Sequence, residues 1–404
     1  MNCRLCRTPL QQEFLDLGNA PPSNAFLTKE QLQLPEVFYP LKLWVCETCL
    51  LVQIDEYKRH EEIFRSDYAY FSSYSSTWLA HASAFVEMFS EKLGLNARSC
   101  VIEVASNDGY LLQYVQAKGI PCLGIEPSSN TAQACRAKGI SVIEDFFGAR
   151  LAATLPQADL LIGNNVFAHV PDLNDFVQGL AIALKPSGII SLEFPHLMRL
   201  IGQRQFDTIY HEHFSYFSLH TVHQVFQRHG LTIYDVQELP THGGSLRVLA
   251  THADNQAAAL SPNVAHVFAQ EELAGLHALS GYRGFQQQVN AVKDEFLRFL
   301  LEAKRAGKRG VGYGAAAKGN TLLNYCGVKK DLLAFVADKS PHKQGKYLPG
   351  SHIPVVSQGT LADVRPDYVV IFPWNIKEEI MQELSYIRQW GGQFVTAIPS
   401  LHIF

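Results

Sequence analysis

The sequence predicts an α/β protein with a small cysteine-rich N-terminal unit and two larger units in which strands alternate with helices. Two Cys-x-x-Cys pairs stand in the first fifty residues. Two apolar runs, Val101–Gly109 and Lys308–Asn320, each pass through a short turn into a helix. At 404 residues the chain exceeds one hydrophobic core, so several domains are expected. We expect boundaries at residues 1–66, 67–252 and 253–404.

Composition is that of an ordinary globular protein. Hydrophobic residues make up 47% and charged residues 18%, and the formal net charge of −4 offers no electrostatic surface for nucleic acid. No run reaches membrane-spanning length, and the N-terminus lacks the apolar core of a signal peptide. We therefore expect a soluble, cytoplasmic protein that binds neither nucleic acid nor membrane.

The N-terminal unit contains four thiols in two chelating pairs, Cys3-x-x-Cys6 and Cys46-x-x-Cys49. This arrangement suits a tetrahedral structural zinc ion, because two such pairs supply four sulfur ligands and leave no open position for chemistry. A redox or free-thiol role is the alternative. Between the pairs, Phe38–Val45 is an apolar strand candidate.

A stretch rich in hydroxyls and aromatic rings, Ser66–Trp78, precedes a helix. Apolar residues at helical spacing from Trp78 to Leu93 predict the helix, with Ser75, Ser76 or Thr77 as its N-cap. Three phenols stand in this stretch, and they either pack against the core or line a ligand site: Tyr68, Tyr70 and Tyr74.

The central unit predicts a mostly parallel sheet with a nucleoside site at the end of its first strand. Asn107, Asp108 and Gly109 form the turn after that strand, and Glu126 ends the next one, where a carboxylate can accept both ribose hydroxyls. Because the turn lacks the Gly-x-Gly-x-x-Gly pattern that approaches a pyrophosphate, we favour S-adenosylmethionine over NAD. A βα unit without a ligand is the alternative. The candidate strands are Cys100–Val104, Cys122–Ile125, Ser141–Ile143, Leu160–Asn164, Gly188–Phe194 and Ser245–Ala250.

Other residues of this unit are candidates for the same site or for its chemistry. Asn164 and Asn165 end a strand where an open sheet binds its ligand. The stretch Tyr210–Tyr216 concentrates imidazoles, a carboxylate and phenols, and it suits acid/base chemistry better than a second metal. In a strand, its His-Glu-His residues would alternate between faces. Arg247, after a Gly-Gly pair, is a candidate for holding a phosphate or carbonyl.

The C-terminal unit predicts a second nucleotide site. Residues from about 252 to 281 are expected to form a helical linker, followed by one amphipathic helix from Phe285 to Gly307. A Gly-rich turn then leads to Lys318, which favours a phosphate at the N-terminus of the next helix, although the unit could serve packing alone. Later strands are expected at Leu333–Val336, Asp367–Phe372 and Gln393–Ile398, with a basic loop after the first of them.

Six motifs occur in the order typical of one enzyme family, and together they span almost the whole chain. The sequence resembles the nucleotide-sugar C-methyltransferases, which methylate C-3 of TDP-linked 4-keto deoxysugars and consist of a zinc-binding domain, a Rossmann-like S-adenosylmethionine domain and a C-terminal Rossmann-like domain. The motifs are Cys3/Cys6/Cys46/Cys49, Phe71–Tyr74, Glu103–Gly109, Tyr210–His213, Gly243–Arg247 and Tyr313–Asn320.

The resemblance implies a role for each group of residues. His213 would be the base that removes the C-3 proton, with Tyr210 at the enolate, Glu212 orienting the imidazole or contacting the sugar, and Tyr74 at the reaction centre. The expected cofactor contacts are Tyr68, Glu103, Asn107, Asp108, Gly109, Glu126, Pro127, Asn164 and Asn165. The expected contacts of the sugar nucleotide are Arg247, Gly314, Lys318, Gly319, Asn320, Asp338, Lys339, Lys346 and Tyr347.

Three other functions stay open at this stage. The Gly312–Ala315 turn would also suit an NAD-dependent nucleotide-sugar dehydrogenase or epimerase, but that function would leave the nucleoside site of the central unit without a use. A non-catalytic zinc-bearing binding module and an O-methyltransferase are the others. The sequence leaves the sugar configuration, the nucleotide base and the oligomeric state undecided, with a monomer among the options.

Overall fold

A computed structural model describes residues 1–57, 71–255 and 258–404. Tyr68 and Tyr70 lie outside these residues. The described helices include none that is long and apolar enough to cross a membrane.

The N-terminal unit is a four-stranded antiparallel sheet that recruits a strand from the central unit. Its own strands are β1 (Gln12–Ala20), β2 (Tyr39–Val45) and β3 (Val52–Ile54). The fourth strand, β9 (Ser215–Tyr216), pairs with β3 in the order β1-β2-β3-β9. The predicted strand at 38–45 is confirmed, whereas β1 was not expected. Because β9 directly follows the Tyr210–His213 stretch, this sheet holds that stretch from one side.

The central unit is a seven-stranded sheet in the order β10-β11-β8-β7-β4-β5-β6. Strands β4 to β8 run parallel, and β11 lies antiparallel to both β8 and β10. The six predicted strands are present and one more, β10, was not predicted. Their bounds are β4 Val101–Val104, β5 Cys122–Ile125, β6 Ser141–Ile143, β7 Ala158–Asn164, β8 Leu184–Pro195, β10 Leu231–Leu239 and β11 Ser245–His252.

Helices flank this sheet. The first, α1 (Ser76–Lys92), begins where Ser75 accepts a hydrogen bond from the backbone N–H of Trp78, which confirms Ser75 as the N-cap. It buries Ala82, Phe85 and Phe89 against the sheet. The remaining helices of this unit are α2 Leu112–Ala117, α3 Ser129–Ala137, α4 Ala149–Ala152, α5 Leu173–Ala183, α6 Leu197–Gly202 and α7 Leu219–Arg228.

The C-terminal unit is a second α/β sheet, ordered β14-β13-β12-β15-β16-β17, in which only the last pair is antiparallel. The predicted amphipathic helix is α9, and the linker contains α8. The strand expected at 333–336 lies at 336–338 instead. The elements are α8 Pro262–Leu273, α9 Phe285–Arg305, β12 Gly310–Tyr313, α10 Ala317–Cys326, β13 Val336–Asp338, β14 Val355–Ser357, α11 Thr360–Val364, β15 Tyr368–Ile371, α12 Lys377–Glu383, β16 Gln393–Thr396 and β17 His402–Ile403.

Both parallel sheets reverse their strand order once, and this reversal determines where ligands can bind. In the central unit the chain proceeds outward from β4 in one direction and from β7 in the other. In the C-terminal unit the same reversal lies between β12 and β15. Open α/β sheets bind ligands at the carboxyl ends of strands at such a reversal. The fold therefore offers two candidate crevices.

The N-terminal and C-terminal units share one hydrophobic core. Phe14 of β1 stacks on Phe285 of α9 with ring centroids 5.1 Å apart. The backbone of Leu27 pairs with that of Tyr347 in the C-terminal unit. The N-terminal unit thus contacts both larger units, because β9 joins it to the central one.

Candidate active site

The turn after β4 adopts a backbone conformation that places polar groups at the first crevice. Ala105, Asn107 and Gly109 all have positive φ angles, of 58°, 50° and 75°. At Gly109 a Cβ atom would lie 2.8 Å from both Cys135 Sγ and Ile140 Cδ1. Glycine is therefore required there by both conformation and space.

Glu126, at the end of β5, is fixed by the same turn. Its two carboxylate oxygens accept hydrogen bonds from the backbone N–H groups of Asn107 and Ser128, each at 2.9 Å. Burial raises the pKa of Glu126, and these two backbone bonds act in the opposite direction. Each oxygen keeps a lone pair for a further donor, such as a ligand hydroxyl. Pro127 lies between Glu126 and Ser128 and fixes the turn.

Polar atoms around this turn are suited to binding a polar, cationic ligand, because they are hydrogen-bond acceptors. Asp108 Oδ1, Asn164 Oδ1 and Asn165 Oδ1 are buried and accept no hydrogen bond from any described residue. Both carboxylate oxygens of Glu103 also lack a hydrogen bond of good geometry from the described residues. Burial raises the pKa of Glu103 well above its usual value, and the nearby hydroxyl of Tyr110 acts in the opposite direction. Buried acceptors without partners are rare in folded proteins. They fit S-adenosylmethionine, which carries a sulfonium charge, an amino group and hydroxyls.

His213 has a defined tautomer. Its Nδ1 lies 3.0 Å from the carbonyl oxygen of Thr208, which can only accept, so Nδ1 carries the proton and Nε2 carries the lone pair. Burial and the neighbouring His169 lower the pKa of His213 well below its usual value. The Tyr210 ring lies 4.0 Å from the imidazole. His213 is thus a partly buried, neutral imidazole whose Nε2 has no hydrogen-bond partner among the described residues.

The stretch around His213 is a turn, so the alternation that His211, Glu212 and His213 would show in a strand does not apply to it. The N–H of His213 bonds to the carbonyl of Tyr210 at 3.0 Å, which closes the turn. His211 instead faces the N-terminal unit, where its Nε2 lies 3.2 Å from the carbonyl oxygen of Pro40. The two imidazoles therefore do not share a face on which they could hold a metal.

A second histidine, which the sequence did not single out, lies beside His213. His169 follows β7 in a 3-10 turn (Phe167–His169), and its ring centroid is 4.7 Å from that of His213. Its Nδ1 donates to the backbone carbonyl of Glu212 at 2.7 Å. Burial lowers the pKa of His169 to about 4. This contact joins the base to the carboxyl end of β7 and hence to the first crevice.

His242 is a third partly buried imidazole in this region. Its φ of 54° is unusual for a residue with a side chain, and its Nε2 lies 3.1 Å from Asn165 Nδ2. Burial lowers its pKa to about 4. The Gly243–Gly244 pair that follows packs against Trp374 and Arg199. Strained residues such as His242 and Asn165, whose φ is 53°, concentrate at functional sites.

The N-terminal unit also reaches the reaction stretch. Asn24 Nδ2 donates to Glu212 Oε1 at 2.8 Å. The carboxylate of Glu212 is buried, and its backbone carbonyl orients His169 rather than His213. Glu212 therefore connects the N-terminal loop with the central crevice.

The second crevice lies at the ends of β12 and β15. Gly314 has a φ of 83°, and its Cβ would lie 2.5 Å from Pro373 Cδ. At Gly319 a Cβ would lie 2.8 Å from Phe372 Cγ. Asn320 is buried, donates to the carbonyl of Ser23 at 2.5 Å, and leaves its own Oδ1 without a partner among the described residues. The helix α10 is thus held tightly against the carboxyl edge of the sheet.

Asp338, at the end of β13, closes the turn before α10. Its Oδ2 accepts from the N–H of Ala315 and its Oδ1 from the N–H of Ser340, both at 2.7 Å. Lys318 projects from the first turn of α10 and donates to Asn375 Oδ1 at 2.7 Å, with its Nζ 4.4 Å from the ring centre of Trp374. A cavity of about 700 Å³ lies between the central and C-terminal units, with Trp374 and Asn375 in its wall.

Arg247 is held inside the protein. Its guanidinium pairs with Glu193 at 2.8 Å and lies 4.7 Å from the ring centre of Phe85. Glu193 also accepts from His81 at 2.8 Å and from the Thr241 hydroxyl at 2.8 Å. In this setting Arg247 fixes α1 and the loop before His242. Its role as a substrate ligand remains a prediction.

Four other candidates lie at the surface or in loops. The Tyr74 side chain is 67% exposed, with its hydroxyl 3.5 Å from His342 Nε2, so it bridges the central and C-terminal units. Lys339 pairs with Glu383 at 2.5 Å. Lys346 and Tyr347 belong to the loop whose backbone pairs with the N-terminal unit. Their assigned roles in substrate binding and catalysis stay predictions.

The four N-terminal cysteines converge on one point. The Sγ atoms of Cys3, Cys6, Cys46 and Cys49 all lie within 4.8 Å of one another. Tetrahedral ligands at the usual Zn–S distance of about 2.3 Å are separated by roughly 3.8 Å, so the donor set fits a zinc ion. Gln53 Nε2 donates to Cys3 Sγ at 3.3 Å, an outer hydrogen bond typical of a metal thiolate site.

Comparisons with known proteins agree with this organisation. A "Putative zinc binding domain" matches residues 3–64, a "Methyltransferase domain" residues 78–236, and a "C-methyltransferase C-terminal domain" residues 240–399. The fold and the site define a zinc-binding, S-adenosylmethionine-dependent methyltransferase. The chain is 32% identical to the C-methyltransferase NovU of Streptomyces niveus over 98% of this chain and 95% of NovU. The protein belongs to this C-methyltransferase family.

Solved methyltransferase structures resemble the chain over less than half of its length. Magnesium protoporphyrin IX methyltransferase of Synechocystis PCC 6803 is 14% identical, covering 44% of this chain and 81% of that one, with a TM-score of 0.34. A possible histamine N-methyltransferase of Thermotoga maritima is 18% identical, covering 45% and 95%, with a TM-score of 0.35. With TM-scores this low, neither similarity bears on the assignment.

Proposed function

We propose that the protein methylates C-3 of a nucleotide-linked 4-keto deoxysugar, with TDP as the nucleotide. The observation that carries the proposal is the tautomer of His213: Nδ1 is committed to the Thr208 carbonyl, and Nε2 is left as a base. A proton next to a ketone is acidic enough for an imidazole to remove, because the resulting charge is spread onto the carbonyl oxygen.

The base stands beside the cofactor crevice, as carbon methylation requires. The ring of His213 lies 4.7 Å from that of His169, and four residues, 165–168, separate His169 from the end of β7. The N–H of Phe214 bonds to the Ala168 carbonyl at 2.7 Å. Bound S-adenosylmethionine supplies an electrophilic methyl group at this crevice. Holding the nucleophilic carbon in line with that methyl group converts a bimolecular step into an effectively unimolecular one.

The C-terminal crevice would hold the nucleotide. Its glycine-rich turn leads into the N-terminus of α10, a favourable position for phosphate, and the loop after β13 is basic. The sugar would then lie between the central and C-terminal units. NovU carries the word C-methyltransferase in its name, which favours carbon over oxygen as the methyl acceptor.

The test is product analysis with a panel of 4-keto sugar nucleotides and isotopically labelled S-adenosylmethionine. We expect a product heavier by one methyl group, with the label on C-3 by NMR. In deuterated buffer without methyl donor, we also expect exchange of the C-3 proton. Methylation at oxygen, or a labelled product formed while C-3 keeps its proton, would contradict the proposal. A change in nicotinamide absorbance would instead support the dehydrogenase alternative.

A further inference from the structure

Lys318 stands at the strand reversal of the C-terminal sheet, but its helix is docked on the reaction stretch of the central unit. The hydroxyl of Thr321, on the first turns of α10, donates to the carbonyl of Ile209 at 2.7 Å. Ile209 directly precedes Tyr210. The first turns of α10 thus face the base as well as the second crevice.

One 3-10 turn, Phe206–Thr208, supports both the base and the lysine. The carbonyl of Thr208 accepts from His213 Nδ1 at 3.0 Å. The adjacent Asp207 accepts from the indole N–H of Trp374 at 2.7 Å, and the face of that indole lies against Lys318 Nζ at 4.4 Å. Consecutive residues of one turn therefore hold the imidazole directly and the ammonium through the indole of Trp374.

Lys318 supplies the positive charge in this region, because the imidazoles beside it are neutral. Burial lowers the pKa values of His169 and His242 to about 4 and that of His213 well below normal. The charge of Lys318 itself contributes to the lowering of the pKa values of His213 and His242. Asp207, whose own pKa burial raises to about 6, is the acidic group facing it.

The ammonium is only partly satisfied. Its hydrogen-bond acceptor among the described residues is Asn375 Oδ1, and the Trp374 ring covers another side. An ammonium has three N–H donors, so at least one remains for a ligand oxygen. Lys318 is partly exposed to solvent, although burial lowers its pKa to about 8. A charged group that lines a crevice has this combination of partial exposure and lowered pKa.

We propose that Lys318 is a catalytic residue that donates a hydrogen bond to the C-4 oxygen as it becomes an enolate, rather than a ligand of the diphosphate. This inference rests on the proposed function and deepens it. A preorganised, desolvated charge is most effective where negative charge develops during the reaction. A diphosphate, by contrast, is better matched by backbone N–H groups and by the lysines of the loop after β13, which are Lys339, Lys343 and Lys346.

The step balances without an added reactant. His213 Nε2 takes the C-3 proton, the C–H electron pair forms the C3–C4 double bond, and the carbonyl pair moves onto the oxygen that Lys318 contacts. When C-3 forms its bond to the methyl group, the carbonyl reforms and the S–C pair stays on sulfur. The proton leaves on the imidazolium of His213.

The test compares Lys318→Met with Lys318→Arg, and uses Lys330→Met as control because Lys330 is exposed just beyond the far end of the same helix. Three quantities are measured: the rate of C-3 proton exchange at saturating sugar nucleotide, kcat with KM for methylation, and the affinity for the nucleoside diphosphate alone. We expect Lys318→Met to slow exchange and kcat by about 10²-fold, the usual cost of losing an oxyanion donor. Arginine should restore part of the rate.

The outcomes separate the possibilities. An exchange rate within threefold of the unsubstituted protein, together with a tenfold loss of nucleoside diphosphate affinity, would overturn the inference and return Lys318 to the phosphate. If the unsubstituted protein neither exchanges C-3 protons nor methylates carbon, the proposed function is wrong. The role inferred for Lys318 is then wrong with it, whatever the Lys318 variants do. Should the Met variant misfold, Lys318→Gln provides the same comparison.

Discussion

The guanidinium of Arg4 lies 4.9 Å from the ring centre of Phe214, the residue directly after His213. Arg4 stands between the cysteines of the first pair and also donates to the backbone carbonyls of Ile54 and Pro171, at 2.8 and 2.9 Å. One side chain thus connects the zinc site, strand β3 and the turn that contains His213. The N-terminal unit is part of the support of the active site.

Replacing Arg4 by Met should lower both stability and turnover while zinc stays bound. The substitution leaves the buried carbonyl of Ile54 and the partly buried carbonyl of Pro171 without their donor, which costs about 1–3 kcal/mol in the free energy of unfolding. Chemical denaturation, metal analysis and kcat measure the three effects. Arg7→Met is the matched control, since the side chain of Arg7 is 67% exposed and its pair with Asp172 spans 3.5 Å. Equal effects of the two substitutions would contradict the connecting role of Arg4.

Removing a zinc ligand should destabilise the N-terminal unit and, through it, the catalytic turn. We expect Cys3→Ser to lose zinc and to lower the midpoint of thermal unfolding, because a structural zinc site contributes directly to folding. Loss of activity should follow loss of metal during titration with a chelator. A folded, metal-free and fully active variant would refute the structural role.

Exchanging His213 for Asn should reduce turnover by about 10²-fold or more, the usual contribution of a general base. Both ligands should still bind, because Asn is smaller and polar and leaves the turn intact. C-3 proton exchange and calorimetry with S-adenosylhomocysteine measure the two properties. His211→Asn is the comparison, since His211 points to the Pro40 carbonyl, and a larger loss there than at His213 would reassign the base.

The dependence of kcat on pH should show a wide plateau. The titration of His213 should limit it on the acid side and that of Lys318 on the basic side. A lowered pKa means that His213 stays deprotonated and basic into the acid range, so activity should persist below pH 6.5. Lys318 loses its proton near pH 8, so the rate should fall above that pH, and Lys318→Arg should move this limb upward. A rate that already falls at pH 7 on acidification would contradict the assignment of His213.

Glu126→Gln should weaken binding of S-adenosylhomocysteine by about tenfold or more. In the Gln variant the NH2 group would face the backbone N–H of either Asn107 or Ser128, and two donors cannot form a hydrogen bond. A buried N–H that loses its acceptor in this way costs about 1–3 kcal/mol. Isothermal titration calorimetry measures the change. Glu144→Gln, an exposed pair with Arg136, should leave the affinity unchanged. Equal affinities for both variants would remove Glu126 from the site.

The sequence predicted local features well wherever a single residue or repeat carried the information. Helical spacing predicted α1 and its N-cap Ser75, and the two cysteine pairs predicted the cluster of thiols. It missed β1 and β10, and it left the conformation of Tyr210–His213 open, because stretches of mixed polar and apolar residues carry no reliable period. The roles of Asp207 and His169 also escaped it, since each depends on partners far away in the chain.

The amino-acid sequence by itself determined the fold class, the two α/β units and the chemistry available, because strand and helix periods, glycine turns and thiol spacing are local properties. Only the tertiary structure decided which groups meet. It brought Thr208, 5 residues before His213, onto Nδ1, set Trp374 between Asp207 and Lys318, and enclosed Arg247 in a buried ion pair. Burial and hydrogen-bond partners, which set protonation and tautomer, arise from long-range packing that no local pattern records.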